Sequence, residues 1–161
     1  MEAYPQETPE DWWEVEALLD SCFAPGRTGL SSYRLREGVA PVPALCRLRR
    51  DRTGIVIGAI RCWPVRVGAA PALLVGPVAV HPTRQGEGLG AALIGEVVER
   101  ARDGGHERML LVGDWPYYRR FGFEKLTGVE MPPPTNPERV LGLALVEGAW
   151  DGVAGEVVRA A

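Results

Sequence analysis

Apolar positions along the chain follow two periods, and the switches between them mark out the elements. Trp12, Val15, Leu18, Leu19 and Phe23 recur at helical spacing. They follow Thr8-Pro9-Glu10-Asp11, a helix start with a capping Thr, a proline at the first helical position and acids in the first turn. Pro25-Gly26 predicts the stop. A second set, Leu89, Leu93, Ile94, Val97, Val98 and Ala101, predicts a helix over Gly90 to Arg102. Leu30 to Arg36 reads as a shorter helix stopped at Gly38.

The remaining apolar runs are strand-length. Ala3-Tyr4 opens a short first strand. Ala44 to Arg50 and Ile55 to Trp63 read as two strands joined by a hairpin turn at Asp51-Arg52-Thr53-Gly54, with Arg47 and Arg49 on a wet face. Val65-Arg66-Val67 leads through a turn at Gly68-Ala69-Ala70-Pro71 into the run Leu73 to Val80, completing an antiparallel meander. Gly76-Pro77 interrupts that run and predicts a bulge or a splay. Arg108 to Val112 is a further strand, residues 124–130 a sixth, and Val140 to Val146 the last. The prolines from Pro132 to Pro137 exclude regular structure between them.

Length and composition narrow the class. The 161 residues form one domain, 1–161, large enough for a core of ordinary size. No apolar run is long enough to span a membrane, and the acidic start MEAYPQETPEDWW is no signal peptide, so a cytoplasmic protein is expected. Cys22, Cys46 and Cys62 are scattered without CxxC spacing, and His81 and His106 lie far apart. Reduced core thiols are expected, and neither a disulfide framework nor a metal site. His81 is expected to cap a turn and His106 to end the helix before it. The net charge of -3 argues against nucleic acid as a partner.

The candidate chemistry sits between the interrupted strand and the second helix. Gln85-Gly86-Glu87-Gly88-Leu89-Gly90 is a glycine loop at a helix N-terminus, where backbone N–H groups and the helix dipole favour an anion. It is no Walker loop, because GxxxxGK[ST] is absent and the only lysine is Lys125. Gly86-x-Gly88-x-x-Ala91 fits a dinucleotide fingerprint literally, with Asp114 at the distance of a ribose-binding acid. Such a fingerprint begins where its strand ends, however, and here five polar residues intervene.

The third pattern is Gln85-x-x-Gly88-x-Gly90 after a splayed strand, followed downstream by Tyr118-x-x-x-Gly122-Phe123. Together these resemble the GNAT superfamily of N-acetyltransferases. The string LVGDWPYYRRFGFEKL and the tail LALVEGAWDGVAGEV are similar to its YhbS-like branch, so the resemblance covers most of the chain. It implies an α/β (α+β) GNAT fold. That fold has a twisted, mixed, mostly antiparallel sheet of about six to seven strands and about four helices. The sheet splays between the family's fourth and fifth strands, here 73–80 and 108–112.

The implied activity is transfer of an acetyl group from acetyl-coenzyme A, as co-substrate, to a primary amine by direct attack in a ternary complex. The pyrophosphate would lie on Gln85, Gly86, Glu87, Gly88, Leu89 and Gly90. The pantetheine arm would pair with the backbone of Val78, Ala79 and Val80, and an amide in the gap would polarise the acetyl carbonyl. Tyr118 would be the acid for the departing thiolate. Tyr titrates near 10 and a thiol near 8.5, so full transfer is uphill by about 2 kcal/mol and a strengthening hydrogen bond is the more useful role. Tyr117 is assigned to structure.

Relatives often carry an acid on the fourth strand as general base, and Leu73 to Val80 contains none. Glu37, Asp114 and water stay open for that role. Where relatives carry a cofactor-binding Asn, this chain has Asp114. Residues 26–42 would form one wall of the acceptor site, with Arg34, Arg36 and Glu37 as charged candidates whose default is a solvated surface. Trp13 is a candidate for the rim. The acceptor is not legible and a homodimer is left open. The alternative reading is a coenzyme A-binding regulatory domain without catalysis.

Overall fold

The computed structural model describes residues 2–23 and 31–160. Eight strands are hydrogen-bonded to one another: β1 (Arg47–Arg50), β2 (Val56–Val67), β3 (Ala70–Val80), β4 (Arg108–Val112), β5 (Glu124–Lys125), β6 (Val129–Glu130), β7 (Val140–Ala144) and β8 (Gly155–Arg159). Their order is β5-β7-β4-β3-β2-β8-β6, with β1 also on β2. Pairing is antiparallel except between β3 and β4 and between β6 and β8. The helices are α1 (Trp12–Cys22), α2 (Ser31–Arg34), α3 (Leu89–Asp103) and α4 (Trp115–Tyr118).

The core follows from the two-residue period of the strands. Ile60, Cys62, Leu73, Val75, Met109 and Leu111 point to one face, where Leu93, Ile94, Val97 and Ala101 of α3 cover them. The intervening Val65, Val67, Ala72, Leu74 and Leu110 point to the other face, against Leu35, Val129, Met131 and Val157. Nearer β1 that second face is covered by Val15, Leu18 and Leu19 of α1, packed on Leu48, Val56, Ala59 and Ala79. Because β3 and β4 run parallel, the chain needs a crossover between them, and α3 is that crossover.

Several elements differ from the sequence reading. Ala44 belongs to a 3-10 turn over Pro43–Leu45, so β1 starts only at Arg47. β2 does not end at Trp63 but continues through Pro64 to Val67. On the edge of β2 away from β3, β1 pairs with residues 56–60 and β8 with 65–67. Pro64 stands in the gap between those partners, where a missing N–H removes no ladder bond there.

Ala3-Tyr4 forms no strand; the N-terminal segment makes only an isolated bridge, Gln6 to Arg47. Residues 124–130 are two dipeptide strands on opposite sides of the sheet, separated by a turn at Gly128. Val140–Ala144 is not the last strand, since β8 follows it and buries only Val157. The Pro25-Gly26 stop lies outside the described residues.

The helix start expected at Thr8 is held by Asp11, whose Oδ2 accepts from the Thr8 N–H and hydroxyl at 2.8 and 2.9 Å. His81 Nδ1 accepts from the Thr83 N–H at 3.2 Å, the turn cap read from sequence. His106 follows the α3 end at Asp103, and its N–H reaches back to the Ala101 carbonyl at 3.1 Å.

Candidate active site

The site begins with a local irregularity in β3. Ile60 faces Val78 while Cys62 faces Val75, so Arg61 alone stands opposite Gly76 and Pro77. Two residues against one is a bulge. Gly76 adopts φ 129°, a conformation that L side chains rarely adopt, and Pro77 has no N–H to donate. The parallel ladder to β4 holds only at Leu73–Met109 and Leu74–Leu110. Beyond the bulge the two strands are no longer paired, which is the splay expected from Gly76-Pro77.

A cavity of about 180 Å³ occupies this gap, with Gly76, Pro77, Val78, Leu111 and Val112 on the strand side and Phe23, Ser32, Tyr33 and Arg36 across from them. A second, larger groove of about 610 Å³ runs past the glycine loop, along Val78, Val80, Gln85, Gly86, Gly88, Leu89 and Gly90. Val78 and Tyr118 line both. The groove and the cavity therefore meet at those two side chains.

The strand period sorts the expected cofactor residues. Val78 and Val80 face the groove, whereas Ala79 is buried under α1 and offers only its backbone. Gln85 turns its side-chain amide back onto the Val80 carbonyl at 3.4 Å, tying the loop to the strand. Glu87 pairs with Arg84 at 3.1 Å on the exposed side of the loop, so its side chain is directed away from the groove. Gly88 is the N-cap of α3 at φ 80°, and a Cβ built on it meets nothing within 4 Å. A Cβ at Gly90 would lie 3.5 Å from Val80 and 3.6 Å from the Tyr117 hydroxyl. Small residues thus keep the loop backbone open at the start of a fifteen-residue helix.

Tyr118 ends α4, held by its N–H on the Asp114 carbonyl at 3.0 Å. Its ring packs edge-on against Tyr117 at 5.0 Å and Phe123 at 5.9 Å. Behind it a Cβ on Gly113 would fall 2.5 Å from Tyr118 Cε2, so that position has room only for glycine. Gly122, in the Tyr118-x-x-x-Gly122-Phe123 pattern, takes φ 95°, and the turn it makes buries Phe123 in the core beside α3. Burial raises the Tyr118 phenol above its usual range; Tyr117 and Asp114 add to the rise and Arg139 opposes it. The hydroxyl is therefore a proton donor throughout the neutral range. Among the described residues it has no hydrogen-bond partner.

Neither acid named from the sequence reaches the cavity. The Asp114 carboxylate is at the surface, paired with Arg139 at 2.9 Å. Glu37 is exposed, and its carbonyl accepts from Arg159. Trp13 is 77% exposed, stacked edge-on against Trp12, and lines neither cavity.

Arg36 goes the other way. It is 9% exposed and lines the cavity, where the sequence reading placed it in solvent. Arg120, given no role from sequence, and Tyr117, assigned there to structure, line the groove. Arg120 stacks over the Tyr117 ring at 4.4 Å and donates to its carbonyl at 3.0 Å. The sequence signal for them was the doubled YYRR, which does not say which of each pair turns inward. No group of three His, Cys, Asp or Glu side chains among the described residues could hold a metal ion.

The sequence model of the acetyltransferase (GNAT) family matches residues 12–123. The chain is 32% identical over 120 residues to the uncharacterised N-acetyltransferase YhbS of Escherichia coli K12, covering 73% of this chain and 71% of that protein. The crystal structure of Escherichia coli YhbS in complex with CoA superposes with a TM-score of 0.83 at 27% identity, over 97% of this chain and 88% of that one. A GNAT acetyltransferase from Brucella melitensis in complex with acetyl-CoA gives a TM-score of 0.73 at 29% identity, over 98% and 95%. A family model that matches most of the chain, together with a relative 32% identical over 73% of it, shows that this chain belongs to the GNAT family of N-acetyltransferases.

Proposed function

We propose that the chain transfers the acetyl group of acetyl-CoA to a primary amine by direct attack in a ternary complex. The observation that carries this reading is the junction of groove and cavity at Val78 and Tyr118. A thioester entering along the glycine loop and an amine entering through the splay meet at one point. Structures related at 27% and 29% identity that hold CoA and acetyl-CoA support the choice of co-substrate.

The pyrophosphate rests on the backbone of Gln85 to Gly90 at the α3 N-terminus, with Arg120 on the groove wall as a further cation. The pantetheine arm follows Val78, Ala79 and Val80, on the edge that β4 has left. Val78 supplies the first amide after Pro77 and is our candidate for polarising the carbonyl. The amine lone pair attacks the thioester carbon, a C–N bond forms, and the C–S bond breaks with its electron pair going to sulfur. The surplus proton on nitrogen goes to water, since no carboxylate lines the cavity among the described residues. Tyr118 donates a hydrogen bond to the emerging thiolate, and full protonation of sulfur follows with solvent restoring the phenol.

The lack of a lining carboxylate also favours a second reading, a CoA-binding regulatory domain without turnover. A thiol-release assay across a panel of amines, run beside calorimetry with CoA, decides between them. Thiol release that depends on an amine supports the transferase. CoA binding with no release for any amine supports the regulatory domain, and no CoA binding refutes both.

A further inference from the structure

We infer that the protein is not confined to acetyl groups, and that straight acyl chains up to about butyryl are donors it binds more tightly. The inference rests on the reading that a CoA thioester enters along the glycine loop, and it concerns the acyl end of that ester. The groove that would hold pantetheine opens into the splay cavity at Val78 and Tyr118. In a thioester the acyl group lies beyond the sulfur. A chain whose carbonyl sits at Val78 therefore projects into the cavity.

The cavity is a wedge with two unlike walls. β3 and β4 last pair at Leu74–Leu110, and the wedge opens from there. Leu74, Val75 and Leu111 make its closed end, each at most 7% exposed, and Pro77 and Val112 continue the same wall outward. All five side chains are hydrocarbon. The polar side chains Ser32, Tyr33 and Arg36 stand on the opposite wall, with Tyr118 at the mouth. An acetyl methyl is too short to cover the apolar wall. At roughly 30 Å³ per carbon, the share of a water molecule in the liquid, the three-carbon tail of a butyryl group takes about half of the 180 Å³. The polar half is left to the amine. The seven-carbon tail of octanoyl needs more than the whole volume.

Burying a methylene against such a wall is worth about fourfold in affinity. The bonds are those of acetyl transfer. C–N forms at the acyl carbon, C–S breaks with its electron pair on sulfur, and the surplus proton of the amine goes to water, giving an N-acyl amide and a free thiol.

Calorimetry with acetyl-, propionyl-, butyryl- and octanoyl-CoA reads the chain directly and needs no turnover. Affinity should rise about fourfold per methylene from acetyl to butyryl and fall for octanoyl. Val112→Phe fills the wedge from the β4 side and should bring the butyryl-to-acetyl ratio to one or below. Val112→Ala only removes two carbons, so it keeps the test open if the larger ring prevents folding. It should let octanoyl-CoA bind at least as tightly as acetyl-CoA.

Affinity for butyryl-CoA no greater than for acetyl-CoA, or a chain-length profile unaltered in these variants, would overturn the inference. The transferase would then still stand on amine-dependent thiol release from acetyl-CoA. If no amine is acylated, the transferase reading fails separately and the calorimetric series still decides the acyl site. Absence of binding by every CoA ester overturns both.

Discussion

Replacing Tyr118 by Phe removes one oxygen and keeps the ring that packs between Tyr117, Phe123 and the Gly113 backbone. Among the described residues the hydroxyl bonds to nothing in the protein, so its removal breaks no ground-state contact there. The stability change should be within the ±0.5 kcal/mol typical of a benign substitution. The chemical effect is larger. With ordinary acidities of about 10 for the phenol and 8.5 for a thiol, transferring the proton to the thiolate is uphill by about 2 kcal/mol. Burial raises the phenol and widens that gap. In the mechanism we propose, Tyr118 therefore acts through a hydrogen bond that strengthens as charge builds on sulfur.

An interaction of that kind exists mainly in the transition state, so kcat and kcat/KM should fall together by roughly ten- to a thousand-fold. CoA affinity by calorimetry should be unchanged. Steady-state rates at saturating acetyl-CoA, from pH 6 to 9.5, give the readout. Since the raised phenol keeps its proton in this range, the wild-type profile should show no falling limb from Tyr118. Rates within about threefold of wild type would refute the role, and a loss confined to CoA affinity would move the hydroxyl to ground-state binding. Tyr117→Phe is the contrast: its hydroxyl lies by Gly90 in the groove, so any loss should appear in the KM for acetyl-CoA and not in kcat.

Three further outcomes are expected. Gly88→Val places a β-branched residue at φ 80°, where L-residues pay roughly 1–2 kcal/mol, and directs its side chain into the open groove; CoA affinity should be lost with the circular dichroism spectrum retained, and unchanged affinity would refute the loop assignment. Gly113→Ala forces the Tyr118 ring to move by closing to 2.5 Å of Cε2, so kcat should drop about tenfold or more with CoA binding intact, and an unchanged kcat would separate Tyr118 placement from catalysis.

The third concerns acid stability around Arg50, which pairs with Asp11 at 2.6 Å and Glu14 at 2.7 Å. Burial pulls Asp11 up, but the Thr8 and Arg50 hydrogen bonds outweigh it, and the Arg50 hydrogen bond lowers Glu14. Folded-state acidities below the unfolded values of about 4 mean that the unfolded chain binds protons first. This stabilisation is complete above that range and is lost as pH falls through the folded values. The Tm gap between wild type and Arg50→Met should thus be larger at pH 7 than at pH 3, and a gap independent of pH would refute the pairing as its source.

Much of the architecture was legible because it depends on neighbours in sequence. The helix start at Thr8-Asp11, the α3 stripe, the bulge at Gly76-Pro77 and the glycine loop each rest on local backbone preferences or on a period of 3.6 or 2. The two motifs carried the family, since loop and Tyr118-x-x-x-Gly122-Phe123 stand at the two ends of one crossover unit. Other features were decided only by packing across the sheet. β8 is a strand because residues 65–67 of β2 lack a partner there, and nothing in GEVVR announces it. Pro64 sits inside a strand because neighbours on that edge leave a gap.

The site divides the same way. From the sequence came the proposal of a backbone to cradle a phosphate and of a tyrosine to meet a thiolate. The sequence could not show that Asp114 is drawn to the surface by Arg139, or that Arg36 turns inward beneath Tyr33 toward Gly76. A charged side chain in the turn after a short helix has the same local signature whether solvated or buried. Only the surfaces that close over it, residues distant in the chain, determine which way it faces.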